Sequence, residues 1–211
     1  MRGKNGEPFF SIECNEGVRR LCVDLARLHL VGSKFGFEYP LEVQDDLIKH
    51  LPKLEEILKD RKDLHQSTVR RIKELHVTVS RIGKGLVFGP CHGDIHSGNV
   101  LQSANGKISI LDFKSCGNWS QSFDVASYIC SASLFGWAKK YADSFFQGYE
   151  SIRVLNAREK NTLSLFASVR DAWHLVTWAR KADVLGCEWF HDYRIDSRMK
   201  LFYRLAESAL K

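Results

Sequence analysis

A chain of 211 residues is long enough for one sizeable domain or two small lobes, and folding hides about 70% of its extended surface. Apolar residues make up 44% and charged residues 27%, an ordinary globular balance that excludes a wholly disordered, collagenous or coiled-coil chain. The net charge is +6, and no apolar run reaches the roughly 18 residues of a membrane span.

Residues 1–12 read as a flexible tail. Gly3, Asn5, Gly6 and Pro8 break any pattern, and Arg2 and Lys4 precede no apolar core, so no signal peptide is expected. Val18, Leu21, Cys22, Leu25, Leu28 and Val31 follow at helical spacing, and Gly32-Ser33 ends that helix. A second helical pattern runs through Leu47, Leu51, Leu54 and Leu58, with a break at Pro52. A third uses Val69, Ile72, Leu75, Val79 and Ile82 and stops at Gly83 and Gly85. The stretch 59–85 holds eight Lys or Arg against three acids. It has no aromatic residue on which bases could stack, so it reads as a solvated face and no nucleic-acid partner is expected.

The texture changes after residue 85. A short apolar run, Leu86-Val87-Phe88, ends at Gly89-Pro90, and a polar loop from Cys91 to Asn99 follows. Asn105-Gly106 lies between two short apolar runs, which predicts a β-hairpin over about 100–112. Helices resume at Phe123, with a face made of Phe123, Ala126, Ile129 and Cys130 and another of Ala142, Phe145 and Phe146. Asn156 and Glu159 have the spacing of a capping box ahead of a long helix carrying Phe166, Val169, Trp173 and Val176 inward. A last helix is expected around Ser197–Leu210. The six cysteines, at 14, 22, 91, 116, 130 and 187, form no C-x-x-C pair. Neither a zinc ribbon nor a disulfide framework is expected, and the chain reads as a cytoplasmic protein with inert thiols.

The loop and hairpin carry the chemistry. Asp94 and Asn99 are five residues apart, and Asp112 follows thirteen later at the far end of the hairpin. A hairpin brings its ends together, so Asn99 and Asp112 are expected to be neighbours. An amide oxygen beside a carboxylate suits a hard cation such as Mg²⁺. Asp94 is then a base or orienting group for a hydroxyl, and a carboxylate beside a nucleotide-bound metal is the equipment of phosphoryl transfer.

The run HGDIHSGNVL from His92 to Leu101, with LDFKSCG from Leu111 and FDVA from Phe123, resembles the aminoglycoside phosphotransferase and choline kinase group, which has the protein-kinase fold. The resemblance implies a mainly α fold with a small β-hairpin, the C-terminal lobe of that fold, with the N-terminal β lobe apparently absent. It would span residues 13–211, with a catalytic loop at 91–99, the hairpin at 100–112 and C-terminal helices at 121–211. It implies that Asp94 is the catalytic base, and that Asn99 and Asp112 hold Mg²⁺ on ATP. Asp124 would brace the catalytic loop, His92 would orient it, and His96 would line the phosphate side. The implied activity is ATP-dependent phosphoryl transfer to a small-molecule hydroxyl, with a protein serine or threonine as the second choice. Lys114 departs from the pattern, because Asp or Glu is common after Asp-Phe. The residues ahead of His92 read as helices, with no glycine-rich loop or phosphate-gripping lysine. The chain alone is therefore expected to be a poor kinase, served by a separate chain or a dimer partner, or a non-catalytic binding module. A metallophosphoesterase also begins with Gly-Asp-x-His, but this chain has no second Gly-Asp and no Gly-Asn-His.

Overall fold

The structure, a computed structural model, describes residues 15–35, 39–40, 42–103, 105–134, 136, 138–186 and 198–205. The expected tail at 1–12 lies outside them, as does most of the last expected helix beyond 205. The chain divides into two compact units, Met1–Leu41 with Leu86–Lys160, and Glu42–Gly85 with Asn161–Lys211.

The first unit is built on helix α1, Asn15–Gly32. Its stripe of Val18, Leu21, Cys22, Leu25 and Ala26 is buried, as the spacing predicts, and His29 continues the same stripe. Two short antiparallel ribbons follow. Strand β1, Phe88–Cys91, pairs with β4, Gly117–Ser120, and β2, Val100–Gln102, pairs with β3, Ile108–Ile110. The β2–β3 ribbon is the expected hairpin. Its turn places Gly106 at φ 78°, a backbone region that glycine enters without steric cost, and the Asn105 side-chain oxygen accepts from Lys107 N.

The β1–β4 ribbon is a finding that the sequence reading lacked. Gly89-Pro90 looks like a stop, yet both residues lie in β1, opposite Trp119 and Asn118. A ribbon of two strands has only edges, and an edge strand tolerates proline because the missing N–H faces away from its partner.

Helices α5, Ser122–Leu134, and α6, Ala138–Glu150, complete this unit. Phe145 of α6 stacks on Tyr128 of α5, with ring centroids 5.0 Å apart. Gly148 sets how closely α6 approaches α1, since a Cβ there would lie 2.3 Å from the Arg19 carbonyl oxygen. The capping box forms as the spacing predicts. Glu159 N donates to Asn156 Oδ1 at 2.9 Å, and Asn156 N donates to Glu159 Oε2 at 3.0 Å. Arg153 pairs with the same glutamate. This box opens α7, Ala157–Leu185.

The second unit contains α2, Val43–Lys49, α3, Leu51–Leu58, α4, Lys62–Ser80, most of α7 and a helical segment at 198–205. Pro52 sits in the first turn of α3, where its missing N–H has no intrahelical partner to lose. Helix α4 starts seven residues before the apolar pattern does, because its first turns pack through polar atoms. Thr68 Oγ1 hydrogen-bonds Tyr203 Oη at 2.9 Å, and Tyr203 Oη donates to the Leu64 carbonyl. Trp173, expected inward, is half-buried and donates its indole N–H to Asp46 at 3.0 Å. The buried Asp171 is paired by Arg198 at 2.6 Å. Among the described residues, no helix is long and apolar enough to cross a membrane.

Candidate active site

Every residue singled out in the sequence as a site residue falls in the first unit. The loop between β1 and β2 starts with His92, which is fully buried. Its Nδ1 accepts from Asp94 N at 3.3 Å, so the ring hydrogen sits on Nε2 and is donated to the Leu111 carbonyl at 2.7 Å. One imidazole thus ties the residue carrying the Asp94 carboxylate to the residue before Asp112. Gly93 has φ 83°, so the chain reverses there without a Cβ to strain it.

Asn99 ends a 3-10 turn at Ser97–Asn99 and is buried. Its amide nitrogen donates to the Asp94 carbonyl at 2.9 Å. That bond fixes the orientation of the amide, and its oxygen is the atom left for a cation. The Asn99 carbonyl accepts from Leu111 N at 2.8 Å, which extends the β2–β3 ribbon by one step. The hairpin therefore delivers Asp112 next to the partner of Asn99, as its register requires.

Asp112 is the single non-glycine residue with positive φ among the described residues, at φ 61° and ψ 62°. A left-handed side-chain-bearing residue costs on the order of 1–3 kcal/mol and persists only where its surroundings dictate it. Here the preceding peptide is held by Asn99 and His92, and Phe113 packs its ring 4.7 Å from the His92 ring. A 3-10 turn at Phe113–Ser115 follows. The carboxylate is 39% exposed and carries an ion pair to Lys114 Nζ at 3.1 Å.

The Asp94 side chain is largely buried, and His96 Nε2 lies 3.8 Å from its Oδ2. His96 Nδ1 accepts from Gly98 N, so Nε2 carries the hydrogen that faces Asp94. His96 therefore adjoins the Asp94 carboxylate, in addition to capping the turn that holds Asn99.

Asp124 is fully buried in the first turn of α5. Its Oδ2 accepts from His92 N at 2.6 Å and its Oδ1 from Gly93 N at 2.9 Å. A third donor is His29 Nε2 at 3.0 Å, and His29 Nδ1 in turn meets Tyr149 Oη at 2.7 Å. Burial raises the Tyr149 phenol well above its ordinary range, so it stays protonated and donates. His29 is not among the residues singled out in the sequence. The available signal was its position, on the buried stripe of α1, where a polar ring needs a partner.

Cys91 brings its sulfur close to this cluster, and one ligand atom each of His29, Cys91 and Asp124 lies within 4.8 Å of the others. The trio nevertheless reads as a brace. Asp124 already accepts three hydrogen bonds, and burial pushes the Cys91 thiol well up, with Asp124 adding to the effect. A protonated thiol is neither nucleophile nor ligand. Brief iodoacetamide treatment of the folded protein at neutral pH is accordingly expected to leave Cys22, Cys91 and Cys130, all buried, unlabelled until denaturant is added. Peptide mass mapping reads this out, and prompt native labelling of Cys91 would contradict the buried brace.

A helical unit thus holds a carboxylate, an amide and a second carboxylate on a loop and a short ribbon. Solved structures share the fold. An amicoumacin kinase in complex with AMP-PNP, Ca²⁺ and Ami superposes with TM-score 0.68 at 16% identity, covering 96% of this chain and 62% of the other. Choline kinase LicA from Streptococcus pneumoniae gives 0.67 at 14%, covering 96% and 66%. The chain belongs to the phosphotransferase enzyme family, whose model matches residues 1–160. An uncharacterized protein of Synechocystis sp. is 34% identical over 89 residues, and one of Deinococcus radiodurans is 24% identical over 152. The chain spans 24% and 44% of the lengths of those two relatives.

Proposed function

We propose that Asp94, Asn99 and Asp112 form the catalytic centre of an ATP-dependent phosphotransferase acting on a hydroxyl of a small molecule. The observation that carries this reading is the bonding of Asn99, whose amide nitrogen is tied to Asp94 and whose carbonyl is tied to the residue before Asp112. One residue thereby ties the Asp94 backbone, through its side chain, to Leu111 next to Asp112, through its own carbonyl. Asp94 would accept the proton of the acceptor hydroxyl as its oxygen bonds to the γ-phosphorus and the bond to the ADP oxygen breaks. The Asn99 oxygen and the Asp112 carboxylate are hard oxygen donors and fit Mg²⁺. Mg²⁺, when bound, supplies charge neutralisation on the phosphate oxygens. Asp124 and His92 keep the loop in the geometry that Asp94 needs.

Nucleotide and divalent-metal use are supported by the amicoumacin kinase complex and by LicA solved with AMP. A small acceptor is supported by the chemistry of the fold neighbours, which include choline, ethanolamine and aminopropanol kinases. A reducing cytoplasmic setting suits the buried free thiols.

Titration calorimetry with Mg-ATP tests the metal role. Losing a charge-assisted ligand costs about 1.5–3 kcal/mol, so Asp112→Asn is expected to weaken binding on the order of 10- to 100-fold. Unchanged affinity would remove Asp112 from the site. A screen of amino alcohols, aminoglycosides and serine or threonine peptides then identifies the acceptor, and preference for the peptides would favour a protein kinase.

A further inference from the structure

The Lys114 ammonium lies 3.1 Å from Asp112 Oδ2, on the carboxylate assigned above to the metal. We propose that Lys114 is a tethered counter-ion which competes with a free divalent cation for Asp112, so that the site favours metal delivered as a nucleotide complex. The inference rests on the metal reading of Asp112.

Several features of the chain support it. Lys114 is only two residues from Asp112, on the 3-10 turn at Phe113–Ser115, and its ammonium reaches the carboxylate from there. The strained backbone of Asp112 is pinned on one side by the Leu111 hydrogen bonds and on the other by the turn, where Cys116 N donates to the Phe113 carbonyl. The carboxylate cannot easily move away from its lysine. The lysine can move away from it, because its side chain is 67% exposed on a flexible four-carbon stem.

A bare dication must displace the ammonium and then endure its repulsion at close range. A metal–nucleotide complex brings phosphate oxygens with it. Their negative charge offsets that repulsion and gives the displaced ammonium a new partner within reach. One lysine thus has opposite effects on the two forms of the metal. An acidic residue at this position would attract both.

The test uses Mn²⁺ binding by electron paramagnetic resonance on the full chain, with Mn²⁺ alone and with Mn²⁺ plus AMP-PNP. An exposed pair is worth little, so the effects are modest. Lys114→Met is expected to bind free Mn²⁺ about three- to tenfold more tightly, and Mn–AMP-PNP about two- to fivefold more weakly. Lys114→Glu should move free Mn²⁺ further in the same direction. Both variants replace an exposed side chain, and unchanged thermal midpoints check that they fold. Asp112→Asn separates the two readings. If it binds free Mn²⁺ as well as the parent, the metal role of Asp112 falls and this inference falls with it. If it weakens Mn²⁺ while Lys114→Met changes neither affinity, or tightens both, Lys114 is no selective counter-ion and the metal site stands.

Discussion

Asp124→Ala is expected to lower the thermal unfolding midpoint by about 10 °C. The carboxylate is fully buried and accepts from His92 N, Gly93 N and His29 Nε2. Truncation leaves two buried backbone donors and an imidazole without partners. An unsatisfied buried donor costs about 1–3 kcal/mol, and three lose their acceptor together here. At this chain length each kcal/mol moves the midpoint by about 2–4 °C. Differential scanning calorimetry measures the shift. A change below about 3 °C would mean that water or a relaxed loop replaces the carboxylate, and that Asp124 is no brace. Asp124→Asn, which keeps an acceptor, should lie between the two.

Asp94→Asn is expected to reduce phosphoryl transfer by about 10²–10⁴-fold, the range of a lost general base, while changing Mg-ATP affinity by less than about twofold. The contrast follows from the geometry. The Asp94 carbonyl, which survives the substitution, orients Asn99, so the side of the site proposed to hold the metal is preserved. Only the proton acceptor is lost. Single-turnover transfer from labelled ATP to the acceptor found by screening gives the rate. Equal rates in the two proteins would remove Asp94 from the chemistry, and no Asp94-dependent transfer in the parent would favour a binding module.

Much of the site is legible in the sequence because it is local. Asp94, Asn99 and Asp112 are placed by one loop and one tight turn, and a hairpin's register fixes which residues face each other. Asn105-Gly106 announces that turn. The capping box at Asn156–Glu159 is equally local, and it forms. The sequence is silent where contacts span long separations. Nothing near His29 points to Asp124 or Tyr149, and nothing near Gly89-Pro90 points to Trp119 and Asn118. The early start of α4 is hidden for another reason: Thr68 and Leu64 are anchored by a tyrosine hydroxyl, which apolar periodicity does not register. Lys114 stands out in the sequence as a departure from a pattern, but its grip on Asp112 needs the left-handed backbone that the sequence does not display.

The His29–Tyr149 hydrogen bond joins residues 120 apart in the chain, with His92 and Asp124 lying between them in sequence. Such a site cannot be complete before most of this unit has condensed. The entropy of closing so long a loop grows only slowly with length, so the native state is not much weakened by it. The penalty falls on the rate, since chains dominated by distant contacts fold slowly. It also falls on divisibility. A fragment ending before Tyr149, or one starting after His29, would contain Asp94, Asn99 and Asp112 and keep Asp124 on their loop, yet lose the His29–Tyr149 support behind that carboxylate, so the brace cannot be cut out whole.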